Sequence, residues 1–173
     1  MTLDAAYRYD DNPVDALLRV DRLSAVAALL PADGAAAGGL REFVEHVARI
    51  YEANVAALTA MLDGVVLMSA ARGVTDRAGV PVGGAPCTTA VIHDAPVLIT
   101  DTHDDRRYSG DPLVMASGMR SYVGVPLPLA NRAVGTLCVM DQHRGAFNEE
   151  DLRALQSLAA HAVRLLHATR HGG

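Results

Sequence analysis

Apolar residues near the start of the chain fall into a helical rhythm. Ala16, Val20, Leu23, Ala27 and Leu30 recur at alternating four- and three-residue intervals, which puts them on one face of an α-helix. Asn12 supplies a cap for that helix, Pro13 stands at its first position, and Asp15 lies in its first turn. Pro31 stops it, and the stretch from Pro31 to Gly39 reads as a short linker of glycine and alanine. A second amphipathic helix follows. Leu40, Phe43, Val44, Val47, Ile50 and Tyr51 form its apolar side, with Arg41, Glu42, Glu45, His46 and Arg49 facing water.

The period then shortens to that of strands. Val55–Leu62 and Val65–Ala71 are apolar runs joined by Asp63-Gly64, a strong hairpin signal. Gly73–Pro86 is rich in glycine and proline and predicts a loop with at most a short strand at Val80–Val82. Cys87–Ile92 is apolar and fits a turn of helix or a strand, and Val97–Thr100 predicts a strand before the acidic loop Asp101–Asp105. In Ser121–Leu129, Val123, Val125, Leu127 and Leu129 alternate with Tyr122, Gly124, Pro126 and Pro128, so a bulge or an exposed edge is expected near Pro126. After a turn at Asn131-Arg132 comes Val134–Met140, in which Val134, Thr136, Cys138 and Met140 are expected to share one face. That turn lacks the glycine a two-residue hairpin favours, which predicts a longer loop. The last element is a long helix, with Phe147, Asn148 and Leu152 at its staple, cap and fourth positions and Glu149, Glu150 and Asp151 in its first turn. Leu152, Leu155, Ala159, Ala162 and Leu166 make its seam, widened by Leu158 and Leu165. The order of elements predicts an α+β fold around a central antiparallel β-sheet with flanking helices.

Charge and composition narrow the function classes. The 173 residues are half apolar with mean hydropathy +0.16, enough for one domain with a proper core. No apolar run approaches the length of a membrane span, and the acidic N-terminal stretch has no leader-like pattern, so a cytoplasmic protein away from membranes is expected. A net charge of −5 with no arginine-rich block argues against nucleic acid as a partner. All 15 cationic side chains are arginine, which excludes a phosphate-loop lysine, a Schiff base and a lysine general base. Cys87 and Cys138 lie far apart outside any C-x-x-C pattern and are expected to stay free thiols.

From about Leu40 to Leu166 the chain resembles the GAF family of small-molecule sensor domains. The resemblance rests on several blocks: Thr100-Asp101 with the loop to Tyr108; Asp111-Pro112-Leu113-Val114; Gly118-Met119-Arg120-Ser121-Tyr122; Gly124-Val125-Pro126-Leu127; Gly135 to Asp141; and Phe147 with Glu150-Asp151-Leu152. With the helix and linker read before it, this divides the chain into an N-terminal helix and linker over 1–37, a GAF domain over 38–168 and a tail over 169–173. It also implies a ligand cavity between the sheet and the insertion loops, and a homodimer formed through the N- and C-terminal helices. With no output module after the last helix, any signal is expected to pass in trans to a partner protein.

The resemblance places the mouth of the cavity at the polar cluster of Asp101, His103, Asp104, Arg106, Arg107 and Tyr108, between the strand from Ser121 and the insertion that ends at Met119. Asp101, His103, Arg107, Tyr108, Met119, Ser121 and Cys87 are therefore the candidate ligand-binding residues. Arg107 and Tyr108 would serve as polar anchors for an anionic or aromatic small molecule of unknown identity. The competing reading is plain surface chemistry, in which Asp101 and Asp104 cap turns and the arginines pair with neighbouring aspartates. His103 is by residue type a possible ligand to a haem or a metal, yet no second ligand stands at a recognisable spacing. Met61, Met68, Met115, Met119 and Met140 suit either core or an adaptable pocket.

The enzyme alternative is a free methionine-R-sulfoxide reductase, because Val82 to Ala90 around Cys87 is similar to a cysteine-bearing segment of those GAF-related enzymes. Such chemistry uses an attacking and a resolving thiol, and Asp101–Arg120 contains no cysteine. A bilin attached through Cys87 is a further option of the same residue. No G-x-S-x-G elbow is present. The sequence therefore favours a non-enzymatic sensor or regulatory domain, with a reductase or a purely structural protein-association domain as alternatives.

Overall fold

The computed structural model describes residues 35–62, 65–73, 80–81, 85–129 and 132–171. The helix expected between Asn12 and Leu30 lies outside them. The elements, in chain order, are α1 (Ala35–Ile50), β1 (Val55–Leu62), β2 (Val65–Arg72), β3 (Val80–Pro81), α2 (Pro86–His93), β4 (Val97–Ile99), α3 (Pro112–Ser117), β5 (Ser121–Leu129), β6 (Arg132–Asp141) and α4 (Glu149–His171). The strands form one antiparallel sheet in the order β3-β2-β1-β6-β5-β4, so the fold is α+β as expected.

Both hairpins close tightly. Leu62 faces Val65 across the first. In the second Leu129 faces Arg132, which leaves two residues between the strands rather than the longer loop expected from the missing glycine. Cys87–Ile92 resolves as helix, because Pro86 takes the first helical position, where a missing N–H costs nothing, and Asp94 ends the turn in the left-handed region at φ 48°.

The register shifts between Pro126 and Pro128, where the sequence predicts a bulge. The extra residue sits in β6 and reverses the alternation there. Ala133 and Cys138 thus share one face, while Val134 joins Leu137 and Val139 on the other. Val134 is therefore separated from Thr136, Cys138 and Met140, contrary to the simple period-two reading. Gly135 is at the irregularity for a steric reason: a Cβ there would lie 1.8 Å from the Thr59 carbonyl oxygen of β1.

Helices α1 and α4 cover one face of the sheet. Leu40, Val44 and Val47 of α1 and Leu155, Ala162 and Leu166 of α4 pack on Leu58, Val123, Val125 and Leu137. The whole seam of α4 is spent on this contact. Ile50, placed on the apolar side by periodicity, is 52% exposed because the helix ends there and the chain turns through Glu52 at φ 49°. The capping chemistry of α4 matches its sequence: Asn148 Oδ1 accepts from the Glu150 and Asp151 amides at 2.7 and 3.2 Å, and Asp151 Oδ2 accepts from the Asn148 amide at 2.9 Å. Among the described residues no helix is long and apolar enough to cross a membrane.

Candidate functional site

The opposite face is closed by α2, by α3 and by the segment between β4 and β5. The strands contribute Ala57 and Met61 from β1, Tyr122 from β5 and Cys138 from β6, and the cover contributes Cys87, Val91, Tyr108, Val114 and Met119. Because both faces of the central strands are buried, each carries two sets of inward side chains.

Tyr122 dominates this face. It is 1% exposed, and its ring lies along the strand over Gly124, where a Cβ would come within 2.1 Å of Tyr122 Oη. Only glycine at that position lets the ring lie flat. The hydroxyl lies close enough to Thr136 and Cys138 for both to act on its ionisation, yet it meets hydrogen-bond geometry with no side chain or backbone group among the described residues. Its neighbours are already committed. Thr59 Oγ1 and Thr136 Oγ1 stand 2.8 Å apart, the Thr136 amide donates to Thr59 Oγ1 at 3.1 Å, and the Cys138 thiol donates to the Ala57 carbonyl at 3.6 Å.

Burial sets the electrostatics of this face. It raises the Tyr122 hydroxyl well above its ordinary value and pushes the Cys138 thiol up to about 11. The Cys87 thiol is also raised, by burial first and by the nearby Cys138 second. All three groups are therefore held protonated. Tyr108 is buried on the same face, with Oη 2.8 Å from Thr89 Oγ1, which ties the β4–β5 segment to α2.

The remaining candidates lie around the rim. The buried carboxylate of Asp101 accepts a two-pronged bond from Arg120 at 2.9 and 2.6 Å and a third from the His103 amide at 3.0 Å. This pairing with Arg120 holds Asp101 below the usual carboxylate range. The His103 side chain is exposed. Arg107 turns outward, binds Asp105 through Nε at 3.0 Å and Nη2 at 2.7 Å, and stacks 5.1 Å above the Tyr108 ring. Ser121 Oγ donates to the His143 carbonyl at 2.7 Å, joining β5 to the loop after β6. Among the sequence candidates, then, Cys87, Tyr108 and Met119 come together on the inner face. Asp101, His103, Arg107 and Ser121 do not join them. Tyr122, Thr59, Thr136 and Cys138 were not candidates, and the one available sign was the pairing of Tyr122 with Gly124. Among the described residues no cluster of three or more His, Cys, Asp or Glu could hold a metal ion.

A model of the GAF domain matches residues 37–166. No curated protein matches in sequence. Solved structures of the same architecture include the free methionine-R-sulfoxide reductase from Neisseria meningitidis in complex with its substrate, at 17% identity and TM-score 0.70, covering 88% of this chain and 89% of that one. Another is the GAF domain of a phosphoenolpyruvate-protein phosphotransferase from Coxiella burnetii, at 17% identity and TM-score 0.65, covering 92% and 96%. A third is a domain of a protein described as a two-component sensor histidine kinase from Sinorhizobium meliloti, at 14% identity and TM-score 0.61, covering 80% and 95%. At these identities the likeness carries the fold and nothing finer.

Proposed function

Because the chain belongs to the GAF domain family, we propose that it is a non-enzymatic sensor or regulatory domain. In this reading it takes a small molecule on the sheet face under α2, α3 and the β4–β5 segment, and it signals in trans to a partner protein as a homodimer. The observation that carries the reading is the inequality of the two faces. Two long helices seal the α1/α4 face with an apolar core, whereas short helices and turns cover the other, which carries hydroxyls and thiols including a Tyr122 hydroxyl that has no partner among the described residues. Short irregular cover opens at lower free energy than a packed long helix, so this is the face a guest can enter.

The thiols argue against the reductase alternative. Attack on a sulfoxide requires a reachable thiolate, and Cys87 and Cys138 are buried and held protonated. The dimer contact proposed here uses the flank of α4 beside its buried seam, where Ala154, Leu158, His161 and Leu165 recur at four-three-four spacing, together with the helix expected between Asn12 and Leu30.

The test is mass spectrometry of the natively purified chain before and after denaturation, alongside a thiol-dependent turnover assay on free methionine-R-sulfoxide. A released small molecule and no turnover are expected. Turnover that disappears in Cys87→Ser would establish the enzyme instead, and a chain that releases nothing and is stabilised by no metabolite in a thermal-shift screen would be left with protein association alone.

A further inference from the structure

We infer that the guest of this face is an uncharged, largely apolar molecule carrying one hydrogen-bond acceptor, and that the Tyr122 hydroxyl receives it. The inference rests on the ligand-binding reading above and narrows it to a chemical class.

Thr59 and Thr136 satisfy each other, Cys138 donates to the Ala57 carbonyl, and Tyr108 is engaged with Thr89. The Tyr122 O–H is the buried side-chain O–H or N–H left without a partner among the described residues. A buried hydroxyl without a partner is uncommon because its desolvation is uncompensated. An acceptor on a guest, such as a carbonyl or ether oxygen, would supply the missing partner. Beside these engaged hydroxyls the surroundings are apolar and polarizable, chiefly Met61, Met119 and the two thiols, and thioethers adapt their shape to a guest.

The charge balance excludes an ion. Among the described residues no arginine or histidine side chain is buried. At the rim Arg107 is paired with Asp105 and Arg120 with Asp101, while Arg106 is exposed to water. A carboxylate or phosphate entering here would lose its water and meet no cation, the same penalty that keeps the buried thiols protonated. This separates the interior from the Arg107 rim, which would suit an anion, and the two sites make opposite predictions about the guest's charge.

Three probes of similar shape test it with the full chain by isothermal titration and thermal shift at neutral pH: acetophenone, ethylbenzene and benzoate. Acetophenone is expected to bind, and benzoate to bind at least about tenfold more weakly, since its charge must be desolvated. Tyr122→Phe should weaken acetophenone roughly three- to tenfold, the range for one neutral hydrogen bond, while ethylbenzene changes by less than about twofold. Unchanged ethylbenzene binding also shows that the variant keeps its fold. Benzoate binding as tightly as acetophenone, or acetophenone binding unchanged in Tyr122→Phe, overturns the inference. If no probe binds but the native chain releases a charged molecule, the class is wrong and the ligand reading stands; if no probe binds and nothing is released, both fall.

Discussion

Removing one oxygen atom from the core should make the guest-free protein more stable. Tyr122→Phe keeps the ring that packs over Gly124 and deletes a hydroxyl that has no partner among the described residues. An unsatisfied buried hydroxyl costs roughly 1–3 kcal/mol on the scale of protein mutations. Against this stands the void left by the oxygen. At about 24 cal/mol per Å³, a gap of ~10 Å³ costs only about 0.2 kcal/mol. The net expectation is a gain of about 1 kcal/mol or somewhat more, which for a domain of this size raises the melting temperature by roughly 2–4 °C per kcal/mol. The assay is urea and thermal unfolding of protein stripped of any guest, with an unchanged urea slope showing that the shift is one of stability. A loss of about 0.5 kcal/mol or more would mean that the hydroxyl is bonded in the native protein, to Thr136 or Cys138, and the donor accounting would be wrong.

Gly124→Ala should cost about 1–3 kcal/mol, since the new Cβ meets the Tyr122 ring, and the cost should shrink in a Tyr122→Leu background; equal costs in the two backgrounds refute the contact. Leu155→Glu, at a position 0% exposed, should cost about 4 kcal/mol or more and show as lost helicity by circular dichroism, whereas Leu158→Glu on the half-buried flank should keep the fold and shift the sedimentation coefficient toward the monomer. A folded Leu155→Glu would contradict the packing of α4. Arg120 depresses the pKa of Asp101, so the pair's contribution is complete above the unfolded carboxylate value near 4 and is lost progressively as pH falls below it; the stability gap between wild type and Arg120→Met should begin to narrow below about pH 4 and keep narrowing through the acid range, and parallel acid-unfolding curves would exclude the linkage.

The elements that local rules govern were legible in the sequence. Asn148 with Asp151 marks the start of α4 because the cap is a contact between neighbours, and Asp63-Gly64 marks a hairpin because turn geometry is local. What escaped is what depends on distant strands. Residues 57, 59 and 61 of β1 and residues 56, 58 and 60 are all buried, so the strand is apolar on both sides apart from Thr59 and has no readable sidedness. The bulge in β6 arises where Gly135 passes the backbone of β1, a non-local contact, and it alone decides which face Val134 takes. Likewise the exposure of Ile50 follows from where α1 ends and not from its place in the helical period.

The same division explains why charge drew attention to the rim. Asp101, Asp105, Arg107 and Arg120 stand out in a sequence because ionised side chains are costly to bury, but in the folded chain they find each other: Arg107 reaches two residues back, and Arg120 crosses to Asp101 where the ends of the β4–β5 segment meet. Pairs of this kind fix loop geometry and leave little charge over for a ligand. Neutral hydroxyls and thiols inside the sheet are inconspicuous, since Thr and Cys are ordinary strand residues and Tyr122 alternates with the valines as an outward residue would. Its place follows only once the sheet is known to be covered on both sides, for then the position opposite Val123 is interior too, and a tyrosine there brings a hydroxyl for which the described residues supply no partner.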